Sequence, residues 1–133
     1  PGYAVLTLHD LVPPDPAPAS GLLAAFLRCL SVPLEPCPTS NLQTGAAKSI
    51  KEHPIGKLGT SRFRITVNTD NRLMSQTSMS NEMVQLVEAF NWNFQDLQRV
   101  TINALKSAFI PFEERLEIIE EVVKPAYAGV AAE

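Results

Sequence analysis

This chain has little of several things at once: cysteine, histidine, excess charge of either sign, and long apolar runs. Eleven Lys and Arg against fourteen Asp and Glu give a formal net charge of −3, and the cations are scattered. No cationic footprint for nucleic acid exists in such a pattern. Cys29 and Cys37 are the only two cysteines, too few for a disulfide framework and at a spacing that matches no zinc finger, so a reducing, cytoplasmic setting is expected. No apolar run approaches the roughly 20 residues of a membrane span, and no basic stretch followed by an apolar core marks a leader. The histidines are His9 and His53, with no His-x-His, His-Glu-x-x-His or Cys-x-x-Cys pattern. The usual His and Cys ligands of a complete zinc site are therefore missing. Length is limiting too: 133 residues suit one domain but fall well short of the roughly 250 of an eight-stranded (β/α) barrel. With Pro1 rather than Met at its start, the chain is expected to be processed, trimmed or a piece.

What is present is an ordinary globular composition, 45% hydrophobic and 19% charged. Residues 1–31 read as an atypical arm: a short strand-like run between Gly2 and Val12, a cluster of Pro13, Pro14, Pro16 and Pro18, then a helix over Gly21–Leu30 capped by Ser20. Its apolar face is expected to be Leu23, Phe26, Leu27 and Leu30. Residues 32–133 read as α/β. Val32–Pro36 is a short candidate strand, Cys37–Asn41 a polar loop and Ala46–His53 one or two helical turns. Arg62–Val67, β-branched and aromatic, is the clearest strand and runs into a second polar loop, Asn68–Asn71. From Ser80 the period changes to three and four: Met83, Leu86, Val87 and Phe90 mark a helix over about 81–90. Asn93 with Asp96 three residues on resembles a capping arrangement, opening a helix through Leu97, Val100, Ile102, Leu105 and Phe109. Pro111 opens the last, with Leu116, Ile119 and Val123 inward and its glutamates in water.

Ligands of parallel α/β architectures sit beyond the carboxyl ends of the strands, where both polar loops fall. Asp70 is the only acid between Lys57 and Asn81, which makes it a candidate metal ligand or general base. The alternative is a turn in which Asp70 and Asn71 bond their own backbone. Ser40 and Asn41 either position Asp70 or line the site, or cap their own loop. His53 reads as structural, and Cys37 as a buried thiol rather than a ligand or nucleophile.

Three stretches together, Glu35-Pro36-Cys37-Pro38-Thr39-Ser40-Asn41-Leu42-Gln43-Thr44-Gly45, His53-Pro54-Ile55 and Thr66-Val67-Asn68-Thr69-Asp70-Asn71-Arg72-Leu73, resemble the C-terminal part of bacterial-type adenosine deaminases. Leu105 to Arg115 is similar to that family's segment after the last strand. The resemblance covers about residues 32–125. It implies the C-terminal part of a (β/α)8 TIM barrel, with Val32–Pro36 and Arg64–Val67 as its last two strands. It implies zinc-dependent hydrolytic deamination of adenosine to inosine, with purine nucleoside and water as the small-molecule partners. Asp70 then matches the family's aspartate zinc ligand, and Asn71 stands where many members carry a second aspartate associated with the purine N7, as Arg72 stands for a proline. Because N7 is an acceptor, an amide at Asn71 can donate to it directly.

The resemblance also implies zinc-binding histidines and a general-acid glutamate from earlier strands, none of which lies in these residues. Two strands of a closed barrel leave unpaired edges, so association with the missing barrel part or with itself is expected. Two other readings stand beside this one. One is a non-enzymatic remnant or α/β interaction module; the other is a deaminase of adenine or of a modified purine nucleoside.

Overall fold

In a computed structural model of the protein, the described residues are 22–130. The expected first strand, the proline cluster and the Ser20 cap lie outside them. Helix α1 (Leu22–Cys29) turns Ala24 wholly inward and packs Leu27 against the core, while Phe26 and Leu30 are more than half exposed. The buried face is thus the Ala24–Leu27 side, one position round from the expected stripe. Arg28 lies over the Phe63 ring, 5.5 Å from its centroid.

The two expected strands are the main departure. Among the described residues there is no extended strand, only an isolated parallel bridge between Leu34 and Ile65. Pairing is nevertheless recognisable: Leu34 N–H donates to Arg64 O at 2.8 Å, Thr66 N–H to Leu34 O at 3.0 Å, and Asn68 N–H to Pro36 O at 3.1 Å. Pro33 and Pro36 on the first segment have no N–H to return. The α/β expectation is met in part, as two parallel segments held side by side in a helical chain.

The Cys37–Asn41 loop is instead a helical turn, α2 (Pro38–Gln43), with Pro38 in its first turn, where a missing N–H is harmless. Residues 46–53 form turns and bends, and the helix comes after Pro54, as α3 (Ile55–Thr60). A single turn, α4 (Arg72–Ser75), follows Asn71.

Helix α5 (Met79–Phe90) starts at Ser78, whose hydroxyl accepts from Asn81 N–H. Its Leu86 is fully buried, and Met83, Val87 and Phe90 pack against the same core. Helix α6 (Phe94–Ser107) has a reciprocal capping box: Asn93 Oδ1 accepts from Asp96 N–H and Asp96 Oδ2 from Asn93 N–H, each at 3.1 Å. It ends before Phe109, which is fully exposed.

The last stretch runs as α7 (Phe112–Glu117), a π-helical segment (Ile118–Val123) and α8 (Lys124–Val130). Pro125 cannot donate to a carbonyl one turn back and its ring crowds that carbonyl, and the wider winding just before it relieves both conflicts. Ile119 and Val123 are buried as expected, but Leu116 is exposed. The core gathers Ile55, Leu58, Ile65 and Leu86 under Phe63, Val67, Trp92 and Val100. Residues 34–36 and 64–68 run through this core side by side. Their ends project α2 and the Asp70 loop to the same edge.

Candidate functional site

At that edge the chain turns sharply. Asp70 has a left-handed φ of 52°, a conformation that Asp tolerates better than most residues. Asn71 returns to extended backbone and caps α4, its Oδ1 accepting from Met74 N–H at 3.1 Å. That commitment leaves the amide nitrogen as the polar end of the side chain available to a ligand. Both residues are exposed.

Ser40, on the buried side of α2, donates its hydroxyl to Asp70 Oδ2 at 2.8 Å across 30 residues of chain. A hydroxyl bonded to a carboxylate is a strong, orienting contact. No other described residue bonds the second oxygen, Oδ1. Asn41 takes a different part: its Oδ1 accepts from Cys37 N–H at 3.1 Å and lies 3.0 Å from His53 Nε2, with no hydrogen bond to Asp70.

His53 is buried at 2% exposure. Its Nδ1 accepts from Ile55 N–H at 3.1 Å, so the ring proton sits on Nε2 and is donated to Asn41. Burial pushes its pKa down from 6.5 to about 4, with the Glu82 charge opposing the shift. Both nitrogens are engaged, and the ring is neutral. The Cys37 thiol is pushed up to about 11 by burial first and by Asp70 second, so it is protonated at neutral pH and unsuited to nucleophilic work.

Sequence patterns gave no sign of Glu82. Fully buried in the first turn of α5, it accepts from Thr39 N–H at 3.0 Å and from the Thr77 hydroxyl at 2.7 Å. Gln85 adds a bond to the Thr39 hydroxyl at 3.1 Å. In sequence, Glu82 has the appearance of a helix-opening acid facing water; only the bond across 43 residues separates the two roles.

Among the described residues no group of three or more His, Cys, Asp or Glu side chains could hold a metal ion. Asp70 fits as one carboxylate ligand. His53, with both ring nitrogens engaged, does not fit as a second, and Cys37 completes no such group with Asp70. A cleft of about 880 Å³ lies elsewhere, lined by Arg62, Phe63, Arg64, Arg99 and Lys106 among others, and includes none of Ser40, Asn41, Asp70 or Asn71. It opens at the beginning of the paired segments, opposite the Asp70 edge.

The family model described as adenosine deaminase matches residues 5–125. The chain belongs to the adenosine deaminase family. The match begins nearer the N-terminus than the motifs at 35–73 and runs through the proline cluster. Among curated relatives, an adenosine deaminase of Mycobacterium sp. (strain KMS) is 58% identical over 131 residues, covering 98% of this chain and 36% of the relative. One of Mycobacterium marinum (strain ATCC BAA-535 / M) is 60% identical over 128 residues, covering 96% and 35%. The chain thus spans about a third of these relatives' length. Among solved structures, adenine deaminase from Arthrobacter aurescens is similar in fold, with TM-score 0.72 and 22% identity over 77% of this chain and 31% of that one. The N6-methyl-AMP deaminase from Arabidopsis thaliana gives TM-score 0.66 and 22% identity over 79% and 30%. The likeness to solved deaminases concerns the fold. No helix among the described residues is long and apolar enough to cross a membrane.

Proposed function

We propose that this chain is the C-terminal part of a zinc-dependent adenosine deaminase, completing a (β/α)8 barrel whose earlier strands lie outside these 133 residues. The observation that carries the proposal is the Ser40–Asp70 bond, which fixes a lone exposed carboxylate at the edge where two parallel segments end, in a chain of this family. Asp70 is one zinc ligand; Ser40 orients it. The remaining ligands come from the missing barrel part, since both ring nitrogens of His53 are engaged and the described residues hold no metal-binding group of their own. When bound, zinc would lower the pKa of a coordinated water so that, once deprotonated, its oxygen is nucleophilic toward C6 of the purine. Asn71, its carbonyl oxygen held by Met74 N–H, offers its amide N–H to an acceptor on the ring, which suits N7. Residues 32–133 form the catalytic part and residues 1–31 the arm ahead of it. The partners are a purine nucleoside and water, in the cytoplasm.

The test is a chimera in which these 133 residues replace the aligned segment of the Mycobacterium sp. (strain KMS) relative. Conversion of adenosine to inosine is followed by its ultraviolet change, with zinc present. The chimera turns over, the isolated chain does not, and Asp70→Asn in the chimera abolishes both turnover and zinc binding. Robust turnover by the isolated chain refutes the need for outside ligands. An active D70N chimera refutes the role of Asp70.

A further inference from the structure

Carboxylates are seldom wholly buried without a reason, and among the described residues Glu82 makes no ion pair; its partners there are a backbone N–H and a hydroxyl. Those partners are informative. Thr39 is the residue before Ser40, and Thr77 closes the segment that begins at Asp70 and passes through α4. Ser40 and Asp70 are the two ends of the 2.8 Å bond at the site. One carboxylate therefore joins the segment bearing the donor to the segment bearing the acceptor. One further bond joins the same pair of segments directly, Gln43 Nε2 to Ser75 O at 3.3 Å, and Gln85 Nε2, donating to Thr39 Oγ1 at 3.1 Å, ties α2 to α5 beside Glu82. Asn81 Nδ2 donates to Thr77 Oγ at 3.1 Å, orienting the hydroxyl from behind.

We infer that Glu82 is a positioning residue: from the start of α5 it brackets α2 to the Asp70 loop and so sets the Ser40–Asp70 bond. Asp70 gains from such a bracket, since its left-handed backbone, though better tolerated by Asp than by most residues, still costs free energy that the surroundings offset. The start of a helix is also a favourable place for a buried carboxylate. The role rests on the reading of Asp70 as a metal ligand, but the bracket itself does not.

Two measurements separate these. Hydrogen exchange by mass spectrometry on the 133-residue chain compares segments 38–43 and 70–77 with helix α6 as an internal reference. Glu82→Ala accelerates both segments about tenfold or more while α6 is unchanged. Glu82→Gln stays within about twofold, because its amide can accept from Thr39 N–H and donate to Thr77 Oγ. Thr77→Val, which removes the hydroxyl's bonds to Glu82 and Asn81 but leaves Thr39 N–H on Glu82, accelerates both segments less and decides the matter if E82A fails to fold. Zinc affinity of the chimera by chelator competition then falls about tenfold or more in E82A and returns in E82Q, the size usual for groups that orient a ligand. Acceleration confined to one segment, or equal across the chain in both E82A and T77V, overturns the bracket. Loss of zinc in D70N without loss in E82A overturns the positioning role and leaves the metal reading standing. Local acceleration in E82A with zinc binding intact in D70N does the reverse.

Discussion

The neutral, buried His53 should make the stability of this chain depend on pH in a defined window. In the folded state Nδ1 must accept from Ile55 N–H; protonation would place two donors face to face and put a charge where the ring is 2% exposed. Burial accordingly lowers its pKa from 6.5 to about 4. The unfolded chain binds the proton more tightly than the folded one, so the unfolded state holds more protons across that interval. Stability is complete above about pH 6.5, falls as pH drops toward 4, and changes no further through this group below that. At about 1.36 kcal/mol per unit, the whole difference amounts to about 3 kcal/mol, of which about 2 kcal/mol is lost between pH 7 and 5. Urea unfolding followed by emission of the single tryptophan, Trp92, which is buried in the core, measures it. Carboxylates titrate over part of the same range, so the quantity to read is the difference in pH dependence between the native chain and His53→Gln. Equal slopes for the two between pH 7 and 5, or an imidazole midpoint near 6.5 by NMR, would refute the assigned tautomer and the hydrogen bonds that fix it.

Cys37, with its thiol pushed up to about 11, should be nearly inert at pH 8, where on the order of one thiol in a thousand is ionised; iodoacetamide should modify the exposed Cys29 at least about a hundredfold faster, and equal rates by peptide mapping would contradict the burial of Cys37. A methyl at Gly56 would clash with the edge of the Phe90 ring, so Gly56→Ala should cost about 1–3 kcal/mol in urea unfolding. The cost should shrink in a Phe90→Leu background if that contact is its source, and an unchanged midpoint for the single variant would contradict the close approach of Gly56 to the Phe90 ring.

The part of this fold legible in the sequence is the part governed by neighbours. Leu86 with Met83, Val87 and Phe90 faces the core at helical spacing, and Asn93 with Asp96 closes its capping box within four residues. What failed were segments where proline has two meanings. Pro38 looks like loop punctuation and is in fact at the start of α2; Pro33 and Pro36 lie in a run that reads as a strand, yet withhold the donors that a ladder requires. At the Asp70 edge, motifs could single out Ser40 and Asp70 individually, because residue type and position suffice for that. Their hydrogen bond spans 30 residues, and the Glu82 contact spans 43. No periodic pattern reaches so far. Acidic residues are favoured in the first turn of any helix, and only the fold distinguishes one facing water from one fastening two loops. The bond at the candidate site therefore depends on a residue that the site's own motifs do not contain, so a chain could retain every motif from Glu35 to Leu73 and still misplace Asp70 if Glu82 were lost.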